Sequence, residues 1–337
     1  MYALSRHPKA VPPARSRGLR RAVATGLLAL SLLATQLLAQ GAIDPNVAPR
    51  AAALEREGER HMAIDLLGRY LATAPDDGPA WLQLGRFYLY DARDWHRHGH
   101  RGDPDGLLYL DFAATALEQS IRLAVDSGVI FRGITEVERA LIVMEEAGWT
   151  AAVTTLGSER APRMPAYVLE LGENLLASCP AGGVLLTGSD LEALSVWYGS
   201  IERPSDILPI RPDLYTTDSL YRLRMARAMG VDPALPVQRA LGDVAPRRPL
   251  CLSPGTDSAA VPALAWLPYR LVRVSRPPAP GTEAMSINEM LKAVRQNPSP
   301  WVVHVRDVYD RAATHNLLLC SSLLLLFGDT PPPACQP

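Results

Sequence analysis

The chain has 337 residues, 48% of them hydrophobic, and a formal net charge of −1. That apolar content excludes a disordered tail and suffices for about two packed domains. Charge near neutrality excludes a general nucleic-acid binder, which needs a basic face.

The first predicted element is a targeting segment within residues 1–42. Arg6, Lys9, Arg15, Arg17, Arg20 and Arg21 precede an uncharged apolar run over residues 22–39. This is the order of a signal peptide, and about 18 apolar residues also suffice to span a bilayer. The segment therefore reads as a cleaved signal, ending at Ala39 or Ala42, or as a single inner-membrane anchor. Both readings place residues 43–337 outside the cytoplasm, in the periplasm or beyond, because the arginines stay inside. Such a compartment permits disulfides among Cys179, Cys251, Cys320 and Cys335. Four cysteines allow three pairings, and the sequence does not choose between them. A buried free thiol at Cys320 is the alternative at that position.

Residues 43–160 read as helices. Trp81, Leu84, Gly85 and Tyr88 follow the spacing W-x2-L-G-x2-Y, which resembles the first helix of a tetratricopeptide repeat. Ala63, Leu67 and Pro75 fit the preceding unit in the same register, and Gly78-Pro79 opens the next helix. Downstream, the expected second helix appears only at residues 113–117, so about sixteen residues are inserted between the two helices as a loop. A third pair is expected at residues 136–146 and 150–155, separated by Gly148-Trp149. The resemblance implies a protein-binding stack, in which Trp81, Tyr88 and the loop residues Arg97 and Arg101 are candidate partner contacts. Trp81 and Tyr88 also suit simple packing.

After Ala161 the pattern changes. Helices are expected over residues 167–178, 190–199 (with Asp190 as cap), 218–229 and 258–266, and strands at 184–187, 206–210, 249–252 and 269–274. Strands alternating with helices predict a small, Rossmann-like, mostly parallel α/β domain over residues 161–280, closed by a proline-rich link at 277–280. Residues 281–337 are expected to hold helices at 286–297 and 307–327 and a proline-rich tail. Residues 317–327 are too short to span a bilayer and read as a buried helix. The fold class is thus α + α/β: tetratricopeptide-like helices, then the α/β domain, then C-terminal helices.

Ligands of open parallel sheets lie beyond the carboxyl ends of the strands. That rule selects Thr187, Gly188, Ser189 and Asp190 as the candidate ligand loop, although the negative Asp190 disfavours a phosphate. No dinucleotide or P-loop fingerprint is present. Asp190 and Glu192 lie two apart on a helix and do not face each other. His96, His98 and His100 in the inserted loop could hold zinc, nickel or copper, but their arginine and glycine neighbours suit a solvated loop better. Ser253, Ser258 and Asp257 with His304 or His315 lack the surroundings of a nucleophilic triad. No cofactor is expected.

The stretch Gly183 to Asp190, followed by Trp197-Tyr198, resembles a soluble region of bacterial multi-spanning glycosyltransferase-like membrane proteins. That region carries a strand, then Asn-Gly-Asp-Asn-Asp-Thr, then Trp-Tyr. Aligned on Trp197-Tyr198, Asp190 and Glu192 fall on its two acids, while its asparagines are missing here. The resemblance covers about residues 165–330. It implies a setting in envelope or glycan assembly without sugar-transfer chemistry, which that family carries in its membrane part. The expected function is a non-enzymatic, exported or anchored scaffold that binds an envelope or membrane protein. The alternative is a small-ligand-binding protein or enzyme using residues 187–190.

Overall fold

The computed structural model describes residues 44–97, 102–157, 161–276, 285–296, 299–328 and 335. The targeting segment, His98, His100, Arg101 and the proline-rich link at 277–280 lie outside the described residues. What is described is a mixed α/β protein, mostly helical, with one five-stranded sheet.

Six helices come first: α1 (Val47–Arg56), α2 (Arg60–Leu71), α3 (Gly78–Trp95), α4 (Pro104–Arg122), α5 (Asp126–Ala147) and α6 (Trp149–Leu156). Local chemistry sets their starts. Asp77 accepts from the Ala80 N–H at 2.9 Å, and Pro79 occupies the first turn, where its missing N–H costs nothing. Asp103 and Pro104 repeat that device at α4. Here the structure corrects the expected loop. Much of the insertion lengthens the two helices, because α3 runs on to Trp95 and α4 already begins at Pro104.

The α/β part follows as α7 (Ala166–Ala177), β1 (Val184–Leu186), α8 (Asp190–Glu202), β2 (Leu208–Ile210), α9 (Pro212–Thr217), α10 (Ser219–Met229), α11 (Val237–Val244) and β3 (Leu250–Leu252). A single 3-10 turn, Ser258–Ala260, leads to β4 (Leu267–Tyr269) and β5 (Val272–Val274). The strand order is β2-β1-β3-β5-β4. β1 pairs in parallel with β2 and β3, whereas β5 pairs antiparallel with β3 and β4. The expectation of a mostly parallel sheet is therefore corrected to a mixed one. Arg270 adopts φ 51° and turns the chain back, so the single strand expected at 269–274 becomes a hairpin, which can only be antiparallel. The helix expected at 258–266 is also corrected. Val261, held extended before Pro262, ends it after one turn.

Every residue of β1, β2 and β3 is buried, so both faces of the sheet are covered at these three strands, whereas β4 is largely exposed. One apolar core runs from Leu89 in α3 through the sheet to Phe327, and a smaller one lies beneath α1 to α3. The changes of element type near residues 160 and 280 thus fall within one continuous core. Cys179, just after α7, is bonded to Cys251 in β3.

Three helices complete the chain: α12 (Asn288–Gln296), α13 (Pro300–Ala313) and α14 (Leu317–Leu326). The continuous helix expected at 307–327 is broken at Asn316, whose side chain caps α14 by accepting from Leu318 N and Leu319 N. Of the two readings at Cys320 the disulfide holds, since it is bonded to Cys335. The expectation of a buried α14 is corrected, because only Leu319, Cys320 and Leu323 of it are buried, with Leu326 half-buried against the core. The C-terminal helices are fastened by polar groups of α7. Glu170 Oε2 accepts from Met290 N at 2.8 Å, its Oε1 accepts from Glu289 N at 3.1 Å, and Asn174 Nδ2 donates to Tyr309 Oη at 2.8 Å.

Candidate functional site

β1 lies between β2, which it feeds through α8, and β3, which the chain reaches from β2 by crossing back over β1. Chain paths therefore diverge at the carboxyl ends of β1 and β3, which is where sheets of this order open a ligand crevice. Here the two loops close on each other. A Cβ on Gly188 would lie 1.9 Å from the Gly255 carbonyl oxygen, so only glycine permits that approach. Thr256 Oγ1 donates to the Leu186 carbonyl at 2.9 Å and ties the second loop across the end of β1.

The remaining space is filled from within. Glu192 is fully buried, and its carboxylate turns back from the first turn of α8 into the crevice. Oε2 accepts from Gly188 N at 3.0 Å and from Ser253 Oγ at 2.8 Å, while Oε1 accepts from Gly255 N at 2.7 Å. A chain carboxylate thus occupies the seat where an anionic ligand group would sit. Ser189 Oγ accepts from Glu192 N at 3.2 Å, so the cap of α8 is Ser189 and not Asp190 as the sequence suggests. The spacing Ser189-x-x-Glu192 is a capping-box pattern, a local sequence signal for this acid beside its match to the second acid of the resembled motif. Replacing Glu192 with Ala should strip three donors of their acceptor and cost about 2–3 kcal/mol in urea unfolding. Formate or acetate should recover part of that loss in the variant and leave the parent protein unchanged. A variant as stable as the parent would remove Glu192 as the plug.

Asp190 faces the opposite way, toward the helical part. Arg93 of α3 donates through Nη1 and Nη2 to its two oxygens at 2.8 and 3.1 Å, and through Nε to Glu138 of α5 at 2.6 Å. Arg211, between β2 and α9, donates to Asp190 Oδ1 at 2.5 Å and bonds Asp213 through its other nitrogens. Burial alone would raise the Asp190 carboxyl, but Arg93 and Arg211 outweigh it and hold the group below its ordinary value of 3.8. Burial likewise lowers both guanidinium values, and their carboxylate partners more than restore them.

A depressed carboxyl value contributes stability that is complete above the unfolded value and fades as pH falls through the folded one. The stability difference between the parent and Asp190→Asn should therefore be flat down to about pH 5 and shrink below about pH 4. Urea titrations at a series of pH values read this directly. A difference that grew on acidification would refute the assignment.

Beside this cluster lies a cavity of about 210 Å³, lined by Arg93, His96, Arg97, Glu138, Arg211, Asp213, Leu214 and Thr217. His96 is 1% exposed, neither ring nitrogen is hydrogen-bonded, and Nδ1 lies 3.9 Å from Glu138 Oε2. An inner cavity against Thr187, Asp190 and Trp197 measures only about 20 Å³, room for a water and no organic ligand.

The four candidate loop residues are thus together but engaged: Thr187 is buried, Gly188 N is bonded, Ser189 caps and Asp190 is paired. Trp81 donates its indole N–H to the Pro75 carbonyl at 2.7 Å, and Tyr88 stacks at a tilt on Phe112. Both are packing aromatics. Arg97 is exposed and pairs with Asp94 at 3.0 Å. Among the described residues no group of three or more His, Cys, Asp or Glu is arranged to hold a metal. Ser253 is committed to Glu192, and Asp257 caps the 3-10 turn. Arg93 and Arg211 carried no sequence signal, since Arg93 lies 97 residues from Asp190. No family model matches the chain, and neither does any curated protein or any solved structure.

Proposed function

We propose that the protein is an exported or membrane-anchored scaffold whose tetratricopeptide-like helical pairs hold a protein partner in the cell envelope, beside a Rossmann-like module that serves as a second interaction surface. The observation that carries this reading is the contrast between the two halves. The ligand crevice of the sheet is filled by Glu192, whereas the helical pairs keep open grooves. One, of about 550 Å³, is lined by Glu55, Arg60, His61, Asp91, Asp94 and Tyr109. Another, of about 520 Å³, lies between α4, α5 and α6 with Asp111, Arg132, Glu136 and Arg139 on its walls. Both grooves mix signs of charge, which suits a polar peptide segment more than an apolar ligand. Gly85 supports the repeat reading, because a Cβ there would stand 2.6 Å from the Leu117 side chain and force α3 and α4 apart. Two disulfides support export to an oxidising compartment.

The test is affinity purification of the tagged full-length protein from mildly solubilised native membranes, with mass spectrometry of what accompanies it. A specific envelope protein is expected, and it should be lost when the exposed groove residue His61 and its exposed neighbour Met62 are both changed to Asp with melting unaltered. A partnerless protein would sink the scaffold. A second reading, small-ligand binding, is favoured by the unbonded imidazole of His96 on its cavity. It predicts a thermal shift with a dicarboxylate or sugar phosphate that His96→Ala abolishes.

A further inference from the structure

An all-apolar helix requires apolar surroundings on every side. Residues 317–326 of α14 contain eight apolar residues' worth of leucine and cysteine with only Ser321 and Ser322 between them, and no charge. The protein surrounds one side only. Leu317, Leu318 and Leu325 are 84%, 82% and 87% exposed, and Leu324 is 38% exposed. A contiguous leucine face of this kind marks an interaction surface.

Three observations identify its occupant. First, the polar groups of α14 are satisfied within the protein. Ser321 Oγ and Ser322 Oγ donate to the carbonyls of Leu317 and Leu318, each at 3.0 Å, and Asn316 caps the first turn while its Nδ2 donates to the Arg270 carbonyl at 3.0 Å. A surface with its hydroxyls already bonded can enter hydrocarbon without leaving donors bare. Second, a groove of about 480 Å³ continues the leucine face, walled by Leu318, Leu319, Leu326, Ile287, Met285 and Tyr269, which suits an acyl chain. Third, the charge on that wall is Arg270. Its guanidinium lies over the Tyr269 ring, 5.2 Å from the centroid, donates to the Ala177 carbonyl, and makes no ion pair with a carboxylate among the described residues. Tyrosine and arginine at the edge of an apolar face match the headgroup level of a leaflet, where phosphates supply the missing anion.

We propose that α14 is an interfacial helix, whose leucines and adjoining groove enter one leaflet of an anionic lipid bilayer with Arg270 against the headgroup phosphates. The uncharged run at residues 22–39 would deliver the chain to the same membrane, but the docking belongs to α14. It does not depend on whether the helical grooves hold a partner.

The test uses the full chain with p-benzoylphenylalanine at Leu325, mixed with vesicles of phosphatidylethanolamine and phosphatidylglycerol and then irradiated. The same probe at Met62, which is 56% exposed on α2, reports proximity through the N-terminal run alone. Lipid adducts at Leu325 are expected at about tenfold the yield at Met62. Arg270→Gln should lower the Leu325 yield about fivefold in these vesicles and have no effect when phosphatidylcholine is the sole lipid. Both positions are exposed, and circular dichroism verifies that each variant is folded. Equal yields at the two positions would overturn the proposal. Adducts between two copies of the chain in place of lipid would overturn it in favour of a dimer face, and an Arg270→Gln yield insensitive to lipid charge would remove the headgroup contact.

Discussion

Arg93→Met should lower the free energy of unfolding by about 3–5 kcal/mol. The side chain is only 18% exposed and is fully engaged by Asp190 and Glu138. Methionine keeps the packing of the stem and removes the fork, so two carboxylates close to each other lose their shared counter-ion. The larger penalty comes from what is left behind, because Glu138 and Asp190 lose a buried counter-charge and Arg211 alone of the two arginines remains on Asp190. Arg93→Lys should recover little, since an ammonium cannot bond both oxygens of Asp190 and also reach Glu138. Urea unfolding followed by tryptophan fluorescence reads the change, helped by the edge-to-face pair Trp149–Trp197 in the same region. Adding Asp190→Asn to Arg93→Met should cost less than the sum of the separate changes. Strict additivity, or a loss under about 1 kcal/mol, would show that the helical part and the sheet are not joined through this cluster.

Removing the Cys179–Cys251 bond is expected to have an effect of the same size. The two cysteines stand 72 residues apart, and closing a loop of that length in the unfolded chain is worth about 4 kcal/mol on the chain-entropy view. The Cys179→Ala/Cys251→Ala protein should melt roughly 10 °C lower. The Cys320–Cys335 pair spans 15 residues, and its loss should cost about 3 kcal/mol. Scanning calorimetry of the two double variants ranks them. The reverse ranking would mean that the unfolded chain already holds residues 179 and 251 near each other.

What the sequence makes legible is what short-range chemistry determines. Asp77, Gly78 and Pro79 start α3, and Gly230 at φ 68° stops α10, because each acts within one turn of itself. The buried strands at 184–186 and 250–252 announce themselves as apolar runs bounded by glycine or proline. Failures arise where a local signal was present but outvoted, as at Pro262, whose restriction of Val261 ended a helix that periodicity favoured. The hairpin at Arg270 had no signal at all, since a positive φ on arginine is imposed by its surroundings. The candidate site was half legible. Its location followed from the order of strands and helices, yet its state did not. Whether the crevice was open depended on Gly188, Glu192, Ser253 and Gly255 meeting across 61 to 65 residues of chain, a distance over which no pattern reports contact.

Glu170 caps α12 from a different helix, and this has a consequence for the order of assembly. The first turn of α12 is ordinarily stabilised by an acceptor just upstream in the chain. Here that acceptor sits on α7, 119 residues earlier, so the start of α12 depends on a distant segment of the chain. α7 precedes residues 285–328 by about a hundred residues, so Glu170 has no helix to cap until that segment has followed it out. A chain lacking that segment would present an unfilled acidic notch at Glu170 beside an unanswered amide at Asn174, so the last helices close a polar seam as well as an apolar one.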